Sequence, residues 1–237
     1  MALPIYLAMT PWEMAHRELP PRCGWMACHF SPYGQGLSNI PTSLPADSLL
    51  IVNDRIPPWG HDPGLMASQL QQVMDSLAPR GILLDFQRPY NEETAQIAKA
   101  FTALPCPVAV TQAYAKDCEA AVFLPPVPPN KPLEQHLSPW KGRQIWLEAD
   151  LSRLTLTVTE DGCRAEEQAD LIEPVFCDSK LHCHYSICLQ KDQATFTLAR
   201  QPEDLTDLLQ EAEELGVTLA AGLYQELSSV LFVHPAS

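Results

Sequence analysis

Short apolar strands alternate with segments of helical period along most of the chain, and this alternation is the feature that most restricts its fold. "SLLIVNDRIP" precedes "PGLMASQLQQVMDSLA", and "GILLDFQ" precedes "NEETAQIAKAFTAL". Apolar residues in the second member of each pair return every three or four positions, as in a helix with one buried face. Strands that are apolar at nearly every position are typical of parallel sheets buried on both faces. Roughly eight such strands predict an α/β fold, a (β/α)8 TIM-type barrel, with an open doubly wound sheet as the rival.

The C-terminal part predicts a helix, a strand and a β insertion. "QPEDLTDLLQEAEELG" has Pro202 at a helix start and Gly216 where a C-terminal glycine stops a helix, and "VTLAAGLYQEL" is predicted to continue as a buried strand. Two alternating segments, around Asp161-Gly162 and around "QKDQ", predict hairpins. We therefore expect one barrel domain over 1–237 with a β-rich insertion at 155–198.

Charge and cysteine content restrict the partners and the compartment. The net charge of −14 disfavours nucleic acid and anionic membrane surfaces, because both would require clustered lysine and arginine. No secretory signal or transmembrane run is visible, so a cytoplasmic location is expected. The eight cysteines include no CxxC pair and are predicted to be mostly free thiols. No GxGxxG or Walker sequence is present, and we expect no cofactor.

The segment "RGILLDFQRP", in the fourth predicted strand, resembles the fourth strand of the chitinase-like family 18 glycoside hydrolases, whose pattern is DGxDxDxE. The family positions fall on Arg80, Gly81, Leu83, Asp85 and Gln87. Gly81 and Asp85 match the pattern. The first and second acids become Arg80 and Leu83, and the catalytic glutamate becomes Gln87.

The end of the chain carries a second likeness to this family. The segment from "CHYSICLQ" to "LYQEL" is similar to its closing unit of a hairpin, a helix and a glycine-containing last strand. In the family this strand usually ends in a tryptophan that forms the floor of the sugar site. Gln225 stands near that position and Tyr224 precedes it. The resemblance implies a barrel with a sugar site at its C-terminal face.

Strand periodicity gives the resemblance a physical consequence. Residues two apart on a strand point the same way, so Leu83, Asp85 and Gln87 should face the barrel lumen and Phe86 the helices. In the family, the outermost acid protonates the leaving oxygen and its neighbour supports the substrate's acetamido group. An amide at Gln87 cannot donate that proton, but it can hydrogen-bond a sugar. The chain is therefore predicted to be catalytically impaired and to bind a carbohydrate or related polar ligand.

Other carboxylates keep an active glycoside hydrolase open as an alternative. Asp85 could work with Glu148 or Glu226, which lie near predicted strand ends, and Asp54 is a further candidate. Each strand-end acid could instead cap a helix or pair with a nearby arginine. A second alternative is a non-enzymatic scaffold or partner-binding protein whose barrel mouth is filled.

Aromatic residues in the loops could stack on sugar rings or plug the barrel mouth. The candidates are Trp12, Tyr33, Trp59, Tyr90 and Trp140. Those of "HFSPYGQGL" and "IPPWGHD" follow strands, which should place them on the active face.

A cysteine- and histidine-rich segment raises the possibility of a metal site. "CDSKLHCHYSIC" brings together Cys177, His182, Cys183, His184 and Cys188. Strand alternation would place His182 and His184 on one face and Cys183 on the other, and the spacing fits no standard zinc pattern. No metal is therefore expected from the sequence.

Overall fold

The structure, a computed structural model, describes residues 3–166 and 170–231. In chain order its elements are β1 (Ile5–Met9), α1 (Pro11–His16), β2 (Cys23–Phe30), β3 (Leu37–Ser38), β4 (Leu49–Asn53), α2 (Pro63–Leu77), β5 (Gly81–Asp85), α3 (Glu92–Thr102), β6 (Val108–Thr111), β7 (Ala121–Leu124), α4 (Leu133–Leu137), β8 (Ile145–Glu148), β9 (Arg153–Thr159), β10 (Gly162–Glu166), β11 (Val175–Asp178), β12 (Cys183–Gln190), β13 (Gln193–Ala199), α5 (Pro202–Glu214), β14 (Val217–Leu223) and α6 (Tyr224–Leu231). Single 3-10 turns lie at Ala115–Asp117 and Ser138–Trp140.

Eight parallel strands close into a barrel. The hydrogen-bonded order is β1, β14, β8, β7, β6, β5, β4 and β2, and β1 pairs in parallel with β2 to close the ring. The short β3 adds to β2 in antiparallel fashion. The predicted (β/α)8 barrel is confirmed, and β5 is the fourth barrel strand as the family alignment requires. The connection from β2 to β4 contains no helix and that from β6 to β7 only a 3-10 turn, which helps this chain close a barrel within 237 residues.

The predicted helix ends follow from local chemistry. Asn91 caps α3, because its side chain accepts a hydrogen bond from the Thr94 amide at 2.8 Å. Pro202 occupies the first turn of α5, where a missing amide hydrogen costs nothing. Gly216 follows this helix at a φ of +90°, a conformation that favours glycine. All three features were predicted from the sequence and are confirmed.

Alternation along the strands divides the buried residues into two layers. One cluster fills the lumen and consists of Tyr6, Leu49, Ile51, Leu83, Ala109, Ala121, Phe123, Trp146, Leu219 and Ala221. A larger cluster lies between the barrel wall and the helices, with Ile82, Leu84 and Phe86 of the fourth-strand segment among its members. The barrel interior is thus a packed core rather than a pore.

The prediction that the last strand runs through "LYQEL" is wrong. The strand β14 ends at Leu223, and α6 begins at Tyr224. Tyr224, Leu227 and Leu231 recur at helical spacing and pack against the cluster between barrel and helices. Burial of this apolar stripe explains why the segment is helical.

The predicted β insertion is a five-stranded antiparallel sheet between β8 and α5, in the order β10, β9, β13, β12, β11. Both predicted hairpins are present, β9 with β10 and β12 with β13. The insertion was predicted over 155–198, of which residues 167–169 lie outside the described part of the chain. Among the described residues, no helix combines the length and the apolarity needed to cross a membrane.

Candidate ligand site at the carboxyl end of the barrel

Asp85 and Glu148 are the last residues of β5 and β8, and both face the barrel axis. Leu83 and Trp146, two residues earlier on the same strands, lie in the lumen cluster. Phe86 lies instead in the helix layer, with its ring centroid 5.6 Å from that of Phe30. The register predicted for Leu83 and Phe86 is confirmed, whereas Gln87 lies beyond the end of β5. Two carboxylates from different strands therefore point into the mouth of the barrel.

Gln87 fixes the carboxylate of Asp85. Its Nε2 donates a hydrogen bond to Asp85 Oδ1 at 2.5 Å. Burial raises the pKa of Asp85, the hydrogen bond from Gln87 lowers it, and the charge of Asp54 raises it further. Gln87 is itself exposed to solvent, so it can contact both Asp85 and a ligand at the mouth.

Glu148 has the most perturbed carboxyl group of the site. Burial is the largest cause, and the charges of Asp85, Asp150 and Glu226 add to it, raising the pKa of Glu148 to about 7. Burial and like charges both disfavour ionisation of a carboxylic acid. Glu148 is therefore a group that both donates and accepts protons near neutral pH.

Asp150 is a member of the site that was not singled out from the sequence. It lies two residues beyond Glu148, accepts a hydrogen bond from the Ser152 hydroxyl, and pairs with Arg200 Nη1 at 3.5 Å. The Arg200 side chain is fully buried and also donates to the Val127 carbonyl at 3.0 Å. Alternation within "LEAD" could have marked Asp150 as a neighbour of Glu148, whereas nothing local marks Arg200 as its partner.

Asp54 and Glu226, the other candidate acids, hold backbone segments. The two carboxylate oxygens of Asp54 accept hydrogen bonds from the backbone N–H groups of Gln87 and Arg88 at 2.9 and 3.0 Å. Glu226 Oε1 accepts from the Leu151 amide at 2.6 Å. Asp54 therefore shapes the loop after β5, and Glu226, in the first turn of α6, shapes the loop after β8.

Three of the candidate aromatic residues lie exposed on loops that leave the carboxyl ends of barrel strands. Tyr33 is 96% exposed after β2, Trp59 is 72% exposed after β4, and Tyr90 is 53% exposed after β5. Trp59 lines a cleft of about 340 Å³ between the first two loops. Tyr90 stacks on Tyr114 with ring centroids 5.2 Å apart and donates its hydroxyl to Asp117 at 3.1 Å. These loops emerge on the face that carries the carboxylates.

The two aromatic candidates outside these loops lie elsewhere. Trp12 is exposed on α1, where it stacks against His16 with ring centroids 5.0 Å apart. Trp140 is half-buried against the helix layer.

The end of the last strand differs from the arrangement inferred by resemblance. Tyr224 packs against the helix layer, and Gln225, on α6, is exposed and hydrogen-bonded to Glu13. The residue in the inward register is Leu223, two positions after Ala221 of the lumen cluster. Its side chain is 44% exposed at the mouth. Leu223 is therefore the last inward residue of this strand, and Gln225 lies beyond it on α6.

A second cavity, of about 760 Å³, opens at the opposite, amino-terminal end of the barrel. Tyr6 and Trp146 lie at its inner end, and Arg22, Arg80 and Asp47 are among its outer residues. Arg22 and Arg80 lie 3.1 and 3.8 Å from the Asp47 carboxylate. Barrel enzymes keep their sites at the carboxyl end, and Asp85 and Glu148, whose pKa values are raised by burial, also lie there. We therefore place the candidate site at the carboxyl end.

Comparison with known proteins supports the fold assignment. No protein-family model matches the chain, and no curated protein matches it either. Among solved structures, a family 18 N-acetylglucosaminidase from Paenibacillus barengoltzii is similar at a TM-score of 0.58 and 9% identity, over 97% of both chains. A family 18 chitinase variant from Cycas revoluta in complex with (GlcNAc)4 gives 0.56 and 10%, again over 97% of both. The spore cortex-lytic enzyme SleL of Bacillus cereus gives 0.56 and 10%, over 93% of this chain and 70% of that one. At such identities the likeness establishes the fold, which is that of the family 18 barrels.

Proposed function

We propose that this protein is a carbohydrate-binding barrel of the chitinase fold that takes an oligosaccharide, or a related small polar ligand, at its carboxyl end and is impaired in chitinase-type hydrolysis. The observation that carries the proposal is the 2.5 Å hydrogen bond from Gln87 to Asp85 at the end of the fourth barrel strand. Two polar groups are held together at the mouth, but the outer one is an amide.

The chemistry of an amide explains the impairment. General acid catalysis requires a group that releases a proton in the transition state, and it typically contributes about 10²–10⁴-fold to the rate. The Gln87 side chain has no acidic proton near neutral pH, although its amide can donate and accept hydrogen bonds. Leu83, the inward-facing residue two positions before Asp85, is apolar and buried in the lumen. Neither neighbour of Asp85 on this face of the strand can therefore supply an acid.

The ligand class follows from the groups at the mouth. Carboxylates and an amide are suited to sugar hydroxyls and acetamido groups, and the exposed faces of Tyr33, Trp59 and Tyr90 are suited to the apolar faces of sugar rings. A net charge of −14 favours neutral over anionic saccharides. The Cycas revoluta structure, whose changes include glutamate to glutamine, holds (GlcNAc)4, which makes amino-sugar oligomers the first ligands to test.

A thermal-shift panel tests the binding. Amino-sugar oligomers should raise the melting temperature of the wild type and of the control Asp75→Ala, which removes an exposed carboxylate on α2. The shift should be smaller or absent in Asp85→Ala, because Asp85 is the inward charge of the fourth strand. Equal shifts in all three proteins, or no shift with any saccharide, would contradict the proposal.

A fluorogenic amino-sugar assay tests the impairment. The wild type should show little or no turnover, and Gln87→Glu should give weak activity at best, because it restores only the acid. Further gain should require Leu83→Asp and a tryptophan at the end of the last strand. The sequence suggested Gln225→Trp for that position, whereas the structure favours Leu223→Trp, since Leu223 faces the mouth.

One observation favours an active hydrolase as a second candidate. The pKa of Glu148 is raised to about 7 at the same mouth as Asp85, which is the condition expected of a general acid. If Glu148 is that acid, Asp85 would be its partner carboxylate. Robust wild-type turnover that is lost in Glu148→Gln but kept in the exposed control Glu134→Gln would support this candidate and refute the impaired one.

A further inference from the structure

Cys177, His184 and Asp204 meet where the insertion sheet contacts α5. Cys177 on β11 and His184 on β12 are directly paired across the two antiparallel strands, so their side chains share one face of the sheet. Asp204 lies in the first turn of α5. One potential ligand atom from each residue, a sulfur, an imidazole nitrogen and a carboxylate oxygen, lies within 4.8 Å of the other two.

Two of these groups are already oriented. His184 Nδ1 and Asp204 Oδ2 are 2.8 Å apart, and the same oxygen accepts a hydrogen bond from the backbone N–H of Gln201 at 2.8 Å. Asp204 is buried, His184 is half-buried, and Cys177 is exposed. The cluster is therefore held firmly on its helix side and reachable by solvent on its Cys177 side.

The local electrostatics favour a cation. Besides Asp204, the carboxylates of Asp178, Asp207 and Glu203 lie near enough for their charges to act on the Cys177 sulfur. The acids that disfavour a thiolate also attract a divalent ion. A bound metal reverses the effect on the thiol, because a coordinated thiol is deprotonated.

We propose that Cys177, His184 and Asp204 form a binding site for a divalent metal ion of the zinc type, with water as the fourth ligand. Cysteine sulfur, histidine nitrogen and carboxylate oxygen are all zinc ligands, and zinc sites with three protein ligands hold water in the fourth position. Bonds of about 2.0–2.3 Å in tetrahedral geometry place neighbouring ligand atoms roughly 3.5 Å apart, so the three groups need only small adjustments.

Metal binding at this site has a defined proton balance. The ion displaces the proton of the Cys177 thiol into solvent. The proton that His184 Nδ1 shares with Asp204 moves through solvent to Nε2, so the neutral imidazole binds the ion through Nδ1 and the carboxylate of Asp204 binds beside it. No oxidant or reductant is involved. The bound ion would join β11, β12 and α5, and so fasten the insertion to the helix that leads into the last barrel strand.

The sequence spacing concealed this arrangement. Cys177 and His184 do not form a standard zinc motif with the other histidines and cysteines of their segment, and Asp204 lies beyond the next hairpin. Strand pairing and the packing of α5 bring the three together, so only the fold reveals the cluster.

Titration of the reduced, metal-free full chain with Co²⁺ tests the site, because a cobalt–thiolate bond gives a charge-transfer absorption band. We expect one Co²⁺ per chain in the wild type, with the band displaced by added Zn²⁺. Cys188→Ser is the matched control, since Cys188 is an exposed cysteine of the same sheet, and it should behave as the wild type. Cys177→Ser should abolish the band and weaken binding by at least about tenfold, because even loss of an outer-shell partner costs about 10–100-fold.

Alkylation gives a second readout that does not depend on a variant. In the native wild type, Zn²⁺ should protect Cys177 selectively from iodoacetamide, while the exposed Cys163 and Cys188 stay reactive. Absence of stoichiometric Co²⁺ binding, a charge-transfer band that survives in Cys177→Ser, or Zn²⁺ that leaves Cys177 as reactive as before would overturn the proposal. Sugar binding at the barrel mouth is measured separately, so the two proposals fail independently.

Discussion

Replacement of Glu148 by glutamine should change how stability depends on pH. The pKa of Glu148 rises from 4.5 to about 7 in the folded chain, so the folded protein holds this proton more tightly than the unfolded chain does. The stabilisation is fully present below pH 4.5 and is lost as the pH rises through about 7. At about 1.4 kcal/mol per tenfold change in proton affinity, this loss amounts to about 3 kcal/mol. Glu148→Gln keeps the shape of the neutral acid and cannot ionise.

Urea unfolding from pH 4 to pH 8.5 measures this effect. The free energy of unfolding of the wild type, minus that of Glu148→Gln, should fall by about 3 kcal/mol across this range and level off above neutrality. The control Glu134→Gln, at an exposed position of α4, should run parallel to the wild type. A constant difference between the wild type and Glu148→Gln would show that Glu148 ionises normally, and would refute the crowding of carboxylates at the barrel mouth.

Three further predictions concern a buried ion pair, the packing of the last barrel strand and the oxidation state of the cysteines. Arg200→Ala leaves the Asp150 carboxylate without its buried partner and should cost about 3–5 kcal/mol in urea unfolding, whereas a change below about 1 kcal/mol would contradict the role of this ion pair. Gly222→Ala places a methyl group against the Ala149 carbonyl oxygen and 2.5 Å from a Leu227 methyl carbon, so its free energy of unfolding should fall by about 1–3 kcal/mol, and unchanged stability would refute this close packing. Thiol titration under denaturing, non-reducing conditions should find more than half of the eight cysteines reactive, and three or four disulfides would contradict the prediction.

Much of the barrel follows from local sequence pattern. The register of the fourth strand is set by period two, so Leu83 in the lumen and Phe86 in the helix layer could be assigned without coordinates. The cap at Asn91 and the glycine stop at Gly216 depend on residues adjacent in sequence. Such features are predictable because the groups that decide them lie within a few positions of one another.

The parts of the site that were missed depend on contacts between distant segments. Arg200 donates hydrogen bonds to the Val127 carbonyl and the Asp150 carboxylate, which are 73 and 50 residues away. No local sequence pattern predicts these pairs. The end of the last strand was misplaced because a short apolar run fits a buried strand as well as a helix. Packing of Tyr224 against the helix layer resolves that ambiguity, and it leaves Leu223 at the mouth.

Calorimetric titration with a chitin tetrasaccharide tests the central claim most directly. The wild type and the control Asp75→Ala should bind with the same affinity and leave the saccharide intact at the end of the titration. Loss of hydrogen bonds to a charged carboxylate costs about 1.5–3 kcal/mol, so Asp85→Ala should bind at least about tenfold more weakly. Binding unaffected by Asp85→Ala, no heat of binding in the wild type, or recovery of cleaved sugar would contradict a non-hydrolytic carbohydrate site at the carboxyl end of this barrel.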